Sequence, residues 1–220
     1  YAAERGVTII PEIDMPGHSA AFKTAMGFDM QSDEGVAALK VVLDEVAEVF
    51  ADAPYIHIGG DEVTITYPNF LQTMADYVRG KGKKVVMWNR LVAGPPTAAL
   101  CDMTQMWATS GRVVSGLPNI DCRYNYTNHF DVYADLVGIY KSNIFYEQQG
   151  TADVAGTISA AWNDTKTATE SDIVRQNNIY ANILASAERA WKGGGKAYIE
   201  SGGTTLPNVG DEFEEFADFE

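Results

Sequence analysis

The sequence predicts an α/β protein built on a parallel sheet, and three observations support this. Apolar β-type runs at Val7–Pro11 and Tyr55–Ile58 alternate with segments that have a helical period. The runs lead into glycines, acids and histidines, as in VTIIPEIDMPGH and YIHIGGDE. The chain has 220 residues, of which 46% are hydrophobic, enough to bury a large core as one domain over residues 1–220. Because parallel α/β folds gather functional groups at the carboxyl ends of their strands, we expect a site there.

The predicted elements follow a regular order. The opening YAAERG is typical of a helix end with Gly6 as its terminator, and Val7–Pro11 is the first predicted strand. The later strands are predicted at Tyr55–Ile58, Lys84–Trp88, Met103–Trp107, Ile120–Tyr126 and Thr157–Trp162. The helices are predicted at Gly35–Phe50, Asn69–Arg79, Phe130–Lys141 and Thr169–Trp191, with a short connection or stunted helix at Pro95–Leu100. This alternation implies βαβ units in an open sheet or most of an eight-stranded barrel. Since a barrel usually needs about 250 residues, the barrel alternative implies a missing piece.

The composition disfavours some classes of partner. A formal net charge of -14 argues against nucleic acid and anionic membranes, because phosphate binding needs clustered Lys and Arg. No apolar run approaches the length of a membrane span, and no signal peptide opens the chain. Cys101 and Cys122 have no metal-ligand spacing, and a single bridge or two inert thiols are both open. Neutral or cationic substrates are compatible with the charge, and we expect no metal and no cofactor.

Asp61 and Glu62 are the main candidates for chemistry. Adjacent strand residues point to opposite faces, but Gly59 and Gly60 permit a turn that brings both carboxylates to one pocket. Such a pair can divide the labour, with one acid ionised and the other held protonated as a general acid. An Asp-Glu pair alone is usually part of a solvated loop. The HIGG run before it, which closes an apolar strand, favours the functional interpretation.

Tryptophans at three predicted strand ends indicate a sugar site. Trp88, Trp107 and Trp162 lie at the level of the acids, where a single tryptophan would more often belong to the core. Three tryptophans at equivalent positions would line the opening of one pocket, and indole faces beside carboxylates suit a sugar ring. Trp191, on the final helix, is interpreted as packing.

PEIDMPGH followed by HIGGDE, with tryptophans ending later strands, resembles the catalytic domain of family 20 glycoside hydrolases, the β-N-acetylhexosaminidases and lacto-N-biosidases. The resemblance implies a (β/α)8 TIM-barrel fold of which this chain holds strands three to eight and lacks the first two. It implies hydrolysis of terminal, non-reducing β-linked N-acetylhexosamine from glycans by a retaining, substrate-assisted mechanism, or release of a disaccharide. It also implies an N-terminal segment or companion chain that completes the barrel, and favours a secreted, periplasmic or cell-surface location.

The resemblance assigns roles to individual residues. Glu62 matches the general acid/base, and Asp61 matches the partner that orients the 2-acetamido group, whose carbonyl is the nucleophile. Positions that match the substrate-binding residues of the family are Asp14, His18, Trp88, Trp107, Tyr126, Asn128, Trp162 and Asp164.

The chain also departs from the family pattern. Asn128 stands where an aspartate is usual, and Asp164 where a glutamate is common. Asn89 and Arg90 replace a frequent Asp-Glu after Trp88, on the leaving-group side. Tyr124 competes with Tyr126 for the tyrosine that binds the acetamido oxygen.

Two other functions stay open. A metal-dependent hydrolase could use Asp14, His18, His57 and Asp61 as ligands, but the chain has three histidines and no HxH or HExxH pattern. His57 and Asp61 are separated by an even number of positions along the strand direction, so they share a face. His57 is predicted to be structural or to contact the site residues without touching the substrate. The other alternative is a non-catalytic sugar-binding fragment, which keeps the tryptophans and does not need Glu62.

Overall fold

A computed structural model describes residues 1–89, 91–123, 125–126, 132–144, 153–161, 169–171 and 179–195. The chain divides into two compact units, Tyr1–Asn119 and Ile120–Glu220. Each is described by itself, and the single domain over residues 1–220 stays a prediction. Among the described helices, none has both the length and the apolar character needed to cross a membrane.

The first unit contains a parallel sheet, which confirms the predicted α/β class. Its strands are β1 (Tyr55–His57), β2 (Lys84–Asn89) and β3 (Met103–Met106). Parallel pairing sets Tyr55 opposite Lys84 and Val86 opposite Met103. All of β2 after its first residue is buried, as expected of a strand covered on both faces.

The helices of the first unit are α1 (Ala20–Met26), α2 (Asp33–Val49) and α3 (Phe70–Gly80). The last two confirm the predicted helices to within two residues. A single 3-10 turn, Ala3–Arg5, ends at Gly6, as the opening sequence predicts. The segment predicted as a short connection is a series of turns.

Local sequence explains where α2 begins and ends. The Ser32 hydroxyl accepts the N–H of Gly35 at 3.0 Å, and acidic residues fill the first turn, where they complement the helix dipole. Beyond the other end, the Lys83 ammonium donates to the carbonyls of Phe50 and Ala53 at 3.1 and 2.8 Å. The helix is therefore capped by groups from outside it at both ends.

The core of the first unit lies between the sheet and α2 and α3. Its side chains bury the apolar faces that the helical periodicity predicts. The innermost residues are Met15, Leu39, Leu43, Ile56, Ile58, Phe70, Met74, Val78, Val85 and Met87.

The strand predicted at Val7–Pro11 is wrong. The structure has no regular strand there, and the Val7 side chain is 55% exposed. The pairing with β1 begins later: the His57 N–H donates to the Pro11 carbonyl and the Ile13 N–H to the His57 carbonyl, both at 2.9 Å. The β-type side chains of Val7–Ile10 suit a strand, but within the described part of the chain no ladder holds them in one.

In the second unit the described elements are β4 (Asn119–Asp121), α4 (Val132–Lys141), β5 (Val154–Thr157) and α5 (Ile179–Lys192). The strand β4 is shorter than the fifth predicted strand, Ile120–Tyr126, although Tyr126 forms an isolated parallel bridge with Ala160. The sixth predicted strand begins three residues earlier than expected and ends at Thr157. The last predicted helix ends as expected, followed by Gly193 at φ +67°.

The second unit is held by a small core and two buried arginines. Leu136, Tyr140 and Ala185 pack between α4 and α5. The Arg189 guanidinium donates to the Tyr140 carbonyl at 2.6 Å. Arg123 makes a buried ion pair with Asp121 at 2.7 Å, a geometry in which neither charge is left unpaired.

Candidate active site

Two glycines at the end of β1 shape the candidate site. Gly59 has φ +69° and Gly60 has φ +102°, so the backbone leaves the strand in a conformation that glycine adopts without cost. A Cβ on Gly59 would lie 1.7 Å from Asp14 Oδ1, and a Cβ on Gly60 would lie 2.8 Å from Leu91 Cδ2. The absent side chains therefore let Asp14 lie directly against the turn that delivers Asp61.

Pairing with β1 brings the Asp14 segment to this turn. The Ile13 N–H donates to the His57 carbonyl at 2.9 Å, and the Met15 N–H to the Ile58 carbonyl at 3.3 Å. A Cβ on Gly17 would lie 2.7 Å from Val63, so the loop after Asp14 packs closely against the residues after Glu62. Two segments far apart in sequence thus form one face, as the motifs at strand ends predict.

The two candidate catalytic carboxylates differ in exposure. The Asp61 residue is 8% exposed, whereas the Glu62 side chain is 49% exposed. His18 bridges them, with Nε2 lying 3.2 Å from Glu62 Oε2 and 3.7 Å from Asp61 Oδ2. The two carboxylates therefore lie in different environments, and Glu62 is the one that a leaving group and water can reach.

His18 and Glu62 both have a left-handed backbone, with φ +52° and +59°. Such a conformation in a residue other than glycine costs on the order of 1–3 kcal/mol, and it persists only where the surroundings impose it. Strained residues of this kind concentrate at functional sites. Here the two strained residues are the ones whose side chains meet.

Three carboxyl groups share the low-dielectric face of the site. Burial, with a smaller effect of Asp61, raises the pKa of Asp14 to about 6. Burial followed by Asp14 raises the pKa of Glu12 to about 7, although a hydrogen bond from Trp88 opposes this. Burial also raises the pKa of Asp61, against the effect of His18. Glu12 and Asp14 are therefore carboxyl groups of the site that take up protons near neutral pH.

Two of the three predicted tryptophans lie at strand ends in the first unit. Trp88 is buried near the end of β2, and its Nε1–H donates to Glu12 Oε1 at 3.0 Å. Trp107 follows β3, its backbone N–H donating to the Asn89 carbonyl at 3.3 Å. Asn89 itself is buried and donates to the Arg112 carbonyl, so this departure from the family pattern supports the loop after β3.

Four buried side-chain atoms of the first unit have no hydrogen-bond partner among the residues described: Asp14 Oδ1, His57 Nε2, Asp61 Oδ1 and Trp107 Nε1. All belong to residues at or just after the carboxyl end of a strand or of the paired Pro11–Ile13 segment. Because buried polar groups are nearly always paired, such atoms are candidates for ligand contacts. Three of the four belong to residues that the sequence predicts for substrate binding or catalysis.

The site also contains three residues that could bind a cation. Asp14, His18 and Asp61 can present one donor atom each within 4.8 Å of one another. His57, the fourth ligand of the metal-hydrolase alternative, is not in this group, and its Nδ1 accepts the N–H of Gly59 at 3.1 Å. Its burial and neutrality fit the supporting role that the sequence predicts. The absence of a metal in the reaction stays a prediction.

Four of the predicted site residues belong to the second unit. Trp162, Asp164 and Asn128 fall outside the described residues, as does the competing Tyr124. Tyr126 belongs to the second unit, where it is half-buried. Neither cysteine, one in each unit, forms a disulfide, and both are buried, which selects the inert thiols over the bridge.

Sequence reasoning gave no role to Glu12. A signal for it exists, because in an extended segment residues two apart share a face, and Glu12 precedes Asp14 by two. The pairing of this segment with β1 turns both carboxyl groups toward the site.

Comparison with known proteins finds similar sequences and a similar fold. The sequence profile described as "Glycosyl hydrolase family 20, catalytic domain" matches residues 1–28. The chain is 32% identical over 117 residues to a beta-N-acetylhexosaminidase of Cellulomonas fimi, covering 42% of this chain and 24% of that protein. It is 39% identical over 85 residues to a beta-hexosaminidase of Vibrio furnissii, covering 29% of this chain and 14% of that protein.

The chain thus spans about a quarter of the first of these relatives, and less of the second. In fold it resembles the solved family 20 beta-N-acetylhexosaminidase of Streptomyces coelicolor A3(2), with a TM-score of 0.62 and 19% identity. That likeness covers 97% of this chain and 50% of the solved one, and it supports the predicted TIM-barrel-type fold. The chain is therefore similar to part of the catalytic domain of glycosyl hydrolase family 20.

Proposed function

We propose that this chain carries the acid/base and its partner carboxylate of a β-N-acetylhexosaminidase that removes terminal, non-reducing β-linked N-acetylhexosamine from glycans. One observation carries the proposal. Asp61 is buried and Glu62 is accessible, and His18 lies within 3.7 Å of both carboxylates. The named relatives support the class of reaction.

In the proposed first step, Glu62 donates a proton to the glycosidic oxygen as the bond from that oxygen to C1 breaks. The carbonyl oxygen of the sugar's own 2-acetamido group attacks C1 and forms a cyclic oxazolinium ion. In the second step water attacks C1 as the bond from C1 to the acetamido oxygen breaks, which restores the 2-acetamido group, and the water gives a proton to Glu62, which restores the acid. Two successive inversions at C1 retain its configuration. The exposure of Glu62 suits contact with both the leaving group and water.

Asp61 is proposed to accept the acetamido N–H and to stabilise the positive charge that the cyclic ion carries. A preorganised group of this kind in a water-poor site is typically worth about 3–4 kcal/mol. Burial raises the pKa of Asp61, and His18 opposes that rise. The developing cation favours the ionised carboxylate in the same way as His18, so the interaction is strongest where the reaction needs it.

The proposal is tested by hydrolysis of aryl N-acetyl-β-glucosaminides. Glu62→Gln is expected to lose about 10²–10⁴-fold in turnover of a substrate with a poor leaving group, since the amide has no proton to give. A dinitrophenyl leaving group departs without a proton, so bond cleavage from that substrate should lose far less. Glu48→Gln, on an exposed face of α2, is the matched control.

A Glu62→Gln protein that keeps most of its activity on the poor leaving group contradicts the assigned role. Asp61→Asn should slow formation of the cyclic ion and weaken binding of a thiazoline mimic of it, and unchanged affinity for that mimic counts against Asp61. Mass analysis of the sugar released from a natural glycan separates a monosaccharide product from the disaccharide of a lacto-N-biosidase. Binding of N-acetylglucosamine without any turnover favours the non-catalytic alternative.

A further inference from the structure

Glu12 connects the candidate site to the buried side of Trp88. Its Oε1 accepts the indole N–H of Trp88 at 3.0 Å and lies 3.5 Å from Nδ1 of His57. The Glu12 side chain is 34% exposed, so the carboxyl group is partly shielded from water. A hydrogen bond from a buried indole to a carboxyl group fixes the ring more strongly than a bond to a neutral acceptor.

His57 is neutral and is held by its own contacts. Burial lowers the pKa of His57 to about 3, so its approach to Glu12 is not an ion pair at neutral pH. Its Nδ1 accepts the Gly59 N–H at 3.1 Å, which places the ring proton on Nε2. The His57 and Trp88 rings meet edge to face, with centroids 4.8 Å apart and an interplanar angle of 62°.

Trp88 is joined to the glycine turn through its backbone as well. The Trp88 N–H donates to the Gly59 carbonyl at 3.1 Å. A set of direct contacts therefore runs from Glu12 through Trp88 and His57 to Gly59, two residues before Asp61. Rotation of the Trp88 indole would disturb its packing on His57 and the sugar contact that the sequence predicts for this ring.

From these contacts we infer that Glu12 is a positioning residue for the candidate site: by accepting the indole N–H, it sets the orientation of Trp88 against His57 and thereby the sugar-binding wall beside Asp61. The inference rests on the proposed function as far as the sugar is concerned. The orientation of Trp88 is a property of the free protein and can be measured without turnover.

Protonation of Glu12 is expected to register in the Trp88 indole. The titratable groups that face Glu12 are Asp14 and His18 on its own segment, His57 on β1, and Asp61 on the turn after β1. The pKa of Glu12 lies at about 7, mainly because of burial and Asp14. An ionised acceptor draws the indole proton more strongly than a neutral one. The indole proton shift should therefore follow the charge of Glu12.

The first experiment is a ¹⁵N–¹H spectrum of the indole groups, of which the chain has four. Trp88→Phe identifies the Trp88 signal by its loss. In the unsubstituted protein this signal is expected to shift between pH 5 and 9 with a midpoint near 7, the pKa of Glu12. In Glu12→Gln the Trp88 signal should lie near its position in the unsubstituted protein and should not change with pH, because the amide does not ionise. In Glu12→Ala it should move away, and in the control Glu48→Ala it should behave as in the unsubstituted protein.

The second experiment separates KM from kcat on an aryl N-acetyl-β-glucosaminide. Glu12→Ala should raise KM by about tenfold, the size of one lost hydrogen bond, with a smaller change in kcat. Glu12→Gln keeps an acceptor for the indole and should largely restore KM. Affinity for N-acetylglucosamine should change in parallel with KM.

A Trp88 signal that is the same in Glu12→Ala as in Glu48→Ala overturns the inference, whatever the activity. So does a titration of that signal that persists in Glu12→Gln, a variant close in shape to the original and expected to fold. If no protein form turns over substrate, the proposed function fails, and the indole spectra still decide the role of Glu12. If Glu12→Ala and Glu12→Gln change kcat and KM to the same extent, positioning of Trp88 through the hydrogen bond is also refuted.

Discussion

Gly59→Ala offers a test of how the site is built, because glycine there serves two separate purposes. The backbone has φ +69°, and a Cβ would lie 1.7 Å from Asp14 Oδ1, 2.7 Å from Asp14 Cγ and 3.0 Å from Asp14 Cα. Contacts below 3.0 Å are not tolerated, so the Asp14 carboxyl group must move by more than about 1 Å. Gly82 has φ +75° with nothing within 4 Å, which makes Gly82→Ala the matched control.

The left-handed backbone and the clash with Asp14 contribute separately to the loss of stability. The left-handed backbone costs a residue with a Cβ about 1–2 kcal/mol, and this applies to both variants. Forcing a methyl group into a filled space costs a further 1–3 kcal/mol, about 2–5 kcal/mol in total for Gly59→Ala. A displacement of about 1 Å beside the reacting centre can also reduce activity by about 100-fold.

Urea unfolding of both variants measures the loss of stability, and hydrolysis of an aryl N-acetyl-β-glucosaminide measures the loss of activity. Adding Asp14→Ala to Gly59→Ala removes the clashing oxygen and Cγ, so the double variant should be destabilised by less than the sum of the single changes. The reasoning is refuted if Gly59→Ala is no less stable than Gly82→Ala. It is also refuted if the double variant is simply additive.

Three further outcomes follow from the electrostatics and the orphaned atoms of the site. His18→Phe removes a group that lowers the pKa of Asp61, so the acidic limb of the pH–activity profile should move to higher pH, and an unmoved limb would contradict this contact. Asp14 has a pKa of about 6, raised from 3.8, so between these two pH values the folded state holds a proton that the unfolded chain has lost. The contribution of Asp14 to the free energy of unfolding therefore falls as the pH rises from 3.8 to about 6. Asp14→Asn should therefore stabilise the protein more at pH 8 than at pH 3.5, as measured by thermal unfolding, and an equal effect at both values would be inconsistent with that burial. Trp107→Phe loses no intramolecular hydrogen bond of the indole N–H, so affinity for N-acetylglucosamine should fall in calorimetry while the melting temperature changes little.

Side-chain periodicity was sufficient for most elements of the first unit. The buried stripe of α2 and the continuous apolar run of β2 are visible in the sequence, and both elements lie where their patterns predict. Val7–Ile10 has an equally β-like composition but forms no strand, because a strand also needs a partner that the local sequence does not reveal. Composition predicts the tendency of a segment, and pairing decides its structure.

The site was predictable to the extent that motifs mark strand ends. Motifs of this kind predict Asp14, His18, Asp61 and Trp88 as site residues, and parallel pairing places their segments side by side. The role of Glu12 could not be found in the same way, since it depends on the register that sets Glu12 opposite His57 and on an indole that comes from β2. Register is a property of paired segments, so a single segment cannot show it.

The geometry of the candidate catalytic pair depends on the backbone as much as on the acids. Left-handed residues other than glycine are uncommon, yet His18 and Glu62 both adopt this conformation and their side chains lie 3.2 Å apart. Each conformation costs on the order of 1–3 kcal/mol, which the packing of Gly17 against Val63 and of Asp14 against Gly59 must offset. The small residues around the acids thus have a physical function: they allow two strained segments to approach closely enough for one imidazole to contact both carboxylates.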